Sequence, residues 1–130
     1  MTTPSIYHQI GEQVGVKQLV NRFYELMDSA PQFAEIRQMH PADLATSNDK
    51  LFTFLCGWLG GPALYVEKYG QPMLRYRHLP FPINHQGRDQ CVACMVMAME
   101  DVGLAADVRQ KLTEAFWQTA DFMRNREEAE

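Results

Sequence analysis

The stretch from Gly70 to Ile83, GQPMLRYRHLPFPI, decides the fold class, because its centre is the best candidate for a β-strand in this chain. Apolar and polar residues alternate in MLRYRHL, as they do in a half-buried strand. However, Pro72, Pro80 and Pro82 lie on both sides of that centre, and proline cannot donate a hydrogen bond to a strand ladder. We therefore predict an all-α fold in which this stretch is irregular and carries one histidine, His78.

Single glycines and prolines divide the rest of the chain into helices. One of these helices ends at the letters GGP, where Gly60 can take the left-handed conformation and Pro62 blocks continuation. Asn84 is a suitable N-cap for a later helix, and Gly103 ends that helix. Apolar residues at helical spacing predict helices over residues 16–27, 51–58, 84–102 and 104–123, with shorter segments at 4–10 and 31–41. Residues 62–83 are expected to be irregular, with one helical turn at 64–69 and another that ends at His78.

Composition and charge exclude several classes of protein. The chain has 130 residues, of which 46% are apolar and 22% are charged, so we expect one domain, residues 1–130, with a substantial core. The net charge is −4 and the basic residues are scattered, which argues against a nucleic-acid or membrane partner. The longest apolar run, residues 91–99, is too short to span a bilayer, and the polar start is no signal peptide. We predict a cytoplasmic location.

Three cysteines, Cys56, Cys91 and Cys94, cannot form a disulfide framework, and their odd number suits a reducing compartment. Cys91 and Cys94 form a C-x-x-C pair, which could be a redox pair or half of a zinc site. No second C-x-x-C or H-x-x-x-H completes a zinc set. The pattern therefore favours buried thiols on an apolar helix.

The irregular passage of about twenty residues around His78 indicates a function, since compact domains rarely carry such loops without one. One histidine cannot make a metal site from protein ligands alone. It can hold a haem, because the porphyrin already supplies four nitrogens. Haem also needs an apolar slot with cations at its edge. The apolar candidates are Leu51, Phe54, Met73 and Phe81, and the cationic candidates are Lys50, Arg75 and Arg77.

Five motifs carry a resemblance to a known family: RFYELM, LFTFLCGWLGGP, YGQPMLRYRHLPFPI, GRDQ and FWQTADFMRNR. In this order and spacing, the sequence resembles the truncated haemoglobins of group II, from about Tyr7 to Arg126. The resemblance implies a shortened globin fold, with two helices packed over two around haem b (iron protoporphyrin IX). It implies that His78 is the proximal iron ligand and that Tyr24 is the distal tyrosine.

The resemblance also suggests roles for other residues. His40 stands where the family usually has an aromatic residue and could donate a second hydrogen bond to a ligand. Cys91 replaces a tryptophan characteristic of group II, which predicts a roomier pocket. Glu12 replaces the second glycine of a common pair, and Ser47 takes the position of the distal histidine of ordinary globins. Leu51 and Phe54 should line the haem, Lys50 should reach a propionate, and Trp58, Tyr65 and Arg77 are further propionate candidates.

The function implied is the binding of O2, NO, CO or peroxide, with nitric oxide dioxygenase or peroxidase-like chemistry. Turnover would need an external reductase, because no reductase domain fits in this length. The alternative function is ligand binding without turnover, as in an oxygen carrier, store or sensor. The sequence does not separate these two functions, because both need His78 and a polar distal group. A haem-free helical interaction protein is a third alternative. We expect a monomer or weak homodimer.

Overall fold

Helices form all the regular structure that the computed structural model describes, which comprises residues 5–70 and 85–122. The all-α prediction is confirmed. The helices are α1 (Ile6–Gln9), α2 (Glu12–Ser29), a 3-10 turn (Pro31–Phe33), α3 (Ala34–Gln38), α4 (Ala45–Trp58), α5 (Leu64–Tyr69), α6 (His85–Asp101) and α7 (Ala106–Phe122). The candidate strand centred on residues 73–79 and the predicted cap at Asn84 lie outside the described residues.

Two pairs of helices build the sandwich. Helix α2 packs against α4, and α6 packs against α7, while α2 also contacts α6 across the two pairs. The core between them is made by fully buried apolar side chains, because each helix directs an apolar stripe inwards. On α2 these are Val16, Leu19 and Val20, each with 0% exposure, and on α6 they are Cys94, Ala98 and Met99, also with 0% exposure.

Glycines set the positions where the chain turns or helices approach closely. Gly60, after α4, has a φ of +99°, and Gly103, after α6, has a φ of +79°, as predicted for both helix ends. Gly15 has a different role. A Cβ atom at this position would lie 1.7 Å from the carbonyl oxygen of Ile10, so only glycine lets α2 run this close to the end of α1.

The short helix α1 is held to the far end of α4. Ser5 caps α1 by accepting a hydrogen bond from the main-chain N–H of His8 at 3.3 Å. The N–H of Tyr7 donates to the carbonyl oxygen of Leu59 at 3.0 Å, just beyond the end of α4. This contact fixes the beginning of α2 relative to α4. None of the described helices is both long and apolar enough to cross a membrane.

Candidate functional site

Tyr24 is the central polar group of the site. It lies in the middle of α2 with only 8% of its surface exposed. Its hydroxyl donates a hydrogen bond to the main-chain carbonyl oxygen of Ser47, in the first turn of α4, at 3.2 Å. Burial raises the pKa of the phenol well above its ordinary value. Tyr24 therefore keeps its proton throughout the physiological range and acts as a hydrogen-bond donor.

His40 approaches Tyr24 from the segment that follows α3. It is half-buried, and its ring meets the ring of Tyr24 edge-on at a centroid separation of 5.9 Å and an angle of 78°. Its Nδ1 lies 2.8 Å from the carbonyl oxygen of Ile36 and donates to it, since a carbonyl can only accept. In the neutral imidazole this bond places the lone pair on Nε2. The structure thus brings the two predicted distal residues together.

The two thiols of α6 have different surroundings. Cys94 is fully buried, and its Sγ donates to the carbonyl oxygen of Phe23 at 3.2 Å. Burial raises its pKa to about 12. Cys91, one turn earlier, keeps part of its surface exposed although burial raises its pKa to about 11. The prediction of buried thiols is confirmed for Cys94. Cys91 instead packs against the edge of the core near Tyr24. A negative charge on the sulfur of Cys91 would raise the pKa of Tyr24 further.

An apolar wall made by α4 carries three of the predicted cofactor residues. Leu51, Phe54 and Trp58 recur at helical spacing and pack against the core, yet each remains partly exposed. The rings of Phe54 and Trp58 are stacked with centroids 6.4 Å apart. Phe116 of α7 extends the wall, with its ring 5.1 Å from that of Trp58. Tyr65 of α5 borders the same wall, is 7% exposed and lies 6.1 Å from Phe54.

The predicted cation Lys50 lies within α4 and is exposed. Its Nζ lies 5.7 Å from the centroid of the Tyr69 ring. The neighbouring Asp49 accepts hydrogen bonds from Lys68, at 2.8 Å, and from the hydroxyl of Tyr69. These two bonds hold the pKa of Asp49 below its usual value. Lys50 is therefore part of a charged cluster that links α4 to α5.

Some residues of the site were missed from the sequence, and some predicted ones lie beyond the described residues. The carbonyl oxygen of Ser47 was missed as the partner of Tyr24, and no side-chain pattern signals a backbone acceptor. Phe116 lies in the helix predicted for residues 104–123, but the sequence did not indicate that it packs beside Trp58. The contact between Asp49 and Tyr69 was also missed, because neither residue belongs to a recognisable sequence motif. His78, Met73, Arg77 and Phe81 lie in the part of the chain that the structure does not describe.

The described residues fit a haem. Partly exposed apolar and aromatic side chains packed on one core suit a large flat apolar partner, and Tyr24 offers a buried hydrogen-bond donor beside them. Within the described ranges, no three His, Cys, Asp or Glu side chains form a group that could hold a metal ion.

Comparison with known proteins gives similarities over almost the whole chain. The model of the bacterial-like globin family matches residues 5–125. A group 2 truncated haemoglobin of Bacillus subtilis is 44% identical over 124 residues, which is 95% of this chain and 91% of that protein. The solved group II 2-on-2 haemoglobin of Agrobacterium tumefaciens has a TM-score of 0.93 at 42% identity and covers 98% of both chains. A truncated oxygen-avid haemoglobin from Bacillus subtilis has a TM-score of 0.85 at 41% identity, covering 94% of this chain and 100% of that one.

Proposed function

Because the chain belongs to the bacterial-like globin family, as a truncated haemoglobin, we propose that it binds haem b and small diatomic ligands such as O2 next to Tyr24. We further propose that it performs redox chemistry on nitric oxide or peroxide at that site. The observation that carries the proposal is the buried Tyr24 hydroxyl, which is protonated and has His40 at its ring edge.

The chain itself would hold the cofactor from three sides. His78 would bind the iron, as the sequence motif predicts, and Leu51, Phe54 and Trp58 would contact the porphyrin. Lys50 would balance a propionate at the exposed edge. The haem would supply the iron that binds the diatomic ligand and exchanges electrons.

Tyr24 would bind the ligand through its phenol proton. In the described structure that proton points to the carbonyl oxygen of Ser47 at 3.2 Å, so the hydroxyl must rotate or share the proton when a ligand arrives. A hydrogen bond to a group that carries developing negative charge is worth about 1–3 kcal/mol. Tyr24 would therefore slow ligand release by roughly ten- to a hundredfold.

His40 and Cys91 would shape the remainder of the distal pocket. His40, held by Ile36 through Nδ1, would present Nε2 from the side of Tyr24. Burial raises the pKa of the Cys91 thiol to about 11, so the thiol is protonated at neutral pH. A thiol is smaller and a weaker donor than an indole, so this wall would leave room for ligands and hold them loosely.

Oxygen carriage or storage is the second candidate. The relative from Bacillus subtilis is described as oxygen-avid, and a buried phenol donor favours tight oxygen binding. Redox turnover, by contrast, requires electrons from outside, so a reductase or another electron donor would be the partner. The two functions share the same residues and differ only in whether the ligand is converted.

The first test is the visible spectrum of the ferric, reduced and carbon monoxide-bound protein, beside the variant His78→Gly. We expect a Soret band that shifts on reduction and on addition of carbon monoxide and that is lost or altered in the variant. Imidazole added to His78→Gly should restore it. A folded protein that takes up no haemin would contradict the proposal.

The second test separates redox turnover from carriage. Nitric oxide is added in excess to the oxygenated protein with a constant supply of electrons, and nitrate is counted per haem. Many nitrate molecules per haem support turnover. A single nitrate per haem, with reversible oxygen binding, supports carriage or storage.

A further inference from the structure

A row of aromatic rings crosses the molecule from α7 to the surface at α5. Neighbouring rings are in contact at every step, in stacked, tilted or edge-on arrangements. The centroid separations are 5.1 Å from Phe116 to Trp58, 6.4 Å from Trp58 to Phe54, 6.1 Å from Phe54 to Tyr65 and 5.0 Å from Tyr65 to Tyr69. Three of the five rings, Trp58, Tyr65 and Tyr69, are tryptophan or tyrosine side chains, which can lose one electron and form a radical.

The row ends at a phenol with a proton acceptor. The hydroxyl of Tyr69 donates to Oδ2 of Asp49, which also accepts from Nζ of Lys68 at 2.8 Å. The pKa of Asp49 is lowered by these bonds, so the carboxylate is ionised at neutral pH and can take a proton. Loss of an electron from a phenol releases its proton, and an acceptor already in hydrogen-bond contact makes that loss easier.

Two ammonium groups lie beside the same ring. Nζ of Lys68 is 5.4 Å and Nζ of Lys50 is 5.7 Å from the centroid of Tyr69, and both lysines are exposed. Tyr69 itself is partly exposed. Positive charges around an accessible ring attract small anions from solution.

We propose that Tyr69 is a surface site at which small anionic one-electron donors, enediolates or phenolates, are oxidised, with Trp58 and Tyr65 carrying the electron inwards. The site rests on the proposed function in one respect, that hydrogen peroxide reacting at the haem is the oxidant. It adds a substrate class and a place of reaction separate from the ligand pocket at Tyr24.

The electrons and protons balance over one peroxide. Hydrogen peroxide takes up two electrons and two protons and yields two molecules of water. Each electron leaves Tyr69 while its phenolic proton passes to Oδ2 of Asp49, which forms a neutral tyrosyl radical. An anionic donor then reduces that radical, and Asp49 returns the proton to the phenolate oxygen. Two donor radicals are formed per peroxide, and the two protons used come from the solvent.

The first experiment avoids peroxide altogether. Azide radicals generated by pulse radiolysis oxidise tryptophan in the haem-loaded Trp117→Phe protein, in which Trp58 is the remaining tryptophan. The tryptophanyl and tyrosyl absorptions are followed with time. We expect the tryptophanyl signal to decay as a tyrosyl signal grows, and a nitroso spin trap followed by peptide mapping should label Tyr69. Tyr69→Phe should remove that label, whereas Tyr7→Phe should not, because the ring of Tyr7 lies outside the row. Equal labelling of other tyrosines, or an unchanged tyrosyl signal in Tyr69→Phe, would overturn the proposal.

The second experiment measures ascorbate oxidation by peroxide in the same proteins. Tyr69→Phe should lower the rate roughly tenfold, a change in barrier of about 1.4 kcal/mol, while the direct reaction of peroxide at the haem is unchanged. Lys68→Gln should raise the KM for ascorbate, because it removes one of the two ammonium groups beside the ring of Tyr69. If all proteins fail to react with peroxide but the azide experiment labels Tyr69, the peroxide part of the proposed function fails and the electron path stands. If peroxide reacts and Tyr69→Phe oxidises ascorbate at the wild-type rate, the surface site is wrong and the proposed function stands.

Discussion

The hydroxyl of Tyr24 donates to the carbonyl oxygen of Ser47 across a distance of 3.2 Å and so ties the middle of α2 to the first turn of α4. The same proton is the one that a distal ligand would need. If the proposed function holds, Tyr24 would have two alternative partners, the carbonyl oxygen of Ser47 and a bound ligand. The affinity for the ligand would then reflect the difference between these two hydrogen bonds, so the bond to Ser47 would lower that affinity.

Replacing Tyr24 by Phe should accelerate oxygen release roughly ten- to a hundredfold, because a hydrogen bond worth about 1–3 kcal/mol is lost. Stopped-flow displacement of oxygen by carbon monoxide measures this rate. Tyr7→Phe is the matched control, since it removes a buried tyrosine hydroxyl from α1, away from the pocket. An oxygen off-rate that stays the same in Tyr24→Phe would mean that the phenol keeps Ser47 as its partner in the ligand-bound protein.

Cys91 should react slowly with iodoacetamide at pH 7 and faster as the pH rises. The thiolate is the reactive form, and burial raises the pKa of Cys91 to about 11. The rate should therefore increase about tenfold for each pH unit between pH 7 and pH 10 and level off above the pKa. Mass spectrometry of the labelled peptide against time gives the rate at each pH.

Cys94 and Cys56 provide the internal comparison for this experiment. Both are fully buried at 0% exposure, so they should stay unlabelled until the protein unfolds. Cys91→Ser should abolish the early labelling. Rapid labelling of Cys91 at pH 7 would instead show a thiolate at neutral pH and would make it a candidate for reaction with oxidants formed at the haem.

The helices could be predicted from the sequence because their signals are local. Apolar spacing, Gly60 and Gly103 each act within one or two turns, so the bounds of α5, α6 and the end of α4 follow from neighbouring residues alone. The resemblance then supplied Tyr24, His40 and Cys91 as neighbours in space, and Tyr24 and His40 do meet at 5.9 Å.

The contacts that join helices could not be predicted in this way. Tyr24 and Ser47 are 23 positions apart, and the acceptor is a carbonyl group that every residue has. Asp49 and Lys68 are 19 positions apart, and a chain with charged residues throughout offers many equivalent pairs. Such contacts depend on how the helices pack, which a single sequence does not state.

Asp49→Asn should destabilise the protein at pH 7 by less than about 1 kcal/mol, since the ion pair with Lys68 is partly exposed. The pKa of Asp49 is lowered in the folded protein, so its carboxylate contributes stability above the ordinary pKa of an aspartate. That contribution is lost as the pH falls through the lowered value. Urea unfolding of both proteins should thus show a difference at pH 7 that shrinks in acid.

The control for this prediction is Asp43→Asn. Asp43 is exposed and accepts a hydrogen bond from the N–H of Ala45, but no cation is paired with it among the described contacts. A difference between wild type and Asp49→Asn that stays constant down to the most acidic pH would show that packing, and not the charge, is responsible.

Glu12→Gly should stabilise the protein. Glu12 begins α2 with a φ of +59°, a left-handed conformation that costs a non-glycine residue about 1–2 kcal/mol. Against this, glycine would lose the contact between Oε2 of Glu12 and Nδ1 of His8 at 2.6 Å. Both side chains are more than half exposed, at 57% and 61%, so that pair is worth at most about 1 kcal/mol.

Glycine also adds entropy to the unfolded chain, which costs about 0.5–1 kcal/mol, so the net gain in the free energy of unfolding from Glu12→Gly is at most about 1 kcal/mol. Urea denaturation at pH 7 measures it, with all proteins compared in the same haem-loaded form. Gln13→Gly, at the next position of α2, should instead lose about 0.5–1 kcal/mol, because glycine there only adds entropy to the unfolded chain. Glu12→Gln separates the two effects, since it removes the carboxylate charge and keeps the left-handed backbone. If both variants, Glu12→Gly and Gln13→Gly, lost the same free energy of unfolding, the backbone at residue 12 would carry no strain. Glu12 in place of the family's glycine would then be neutral for folding.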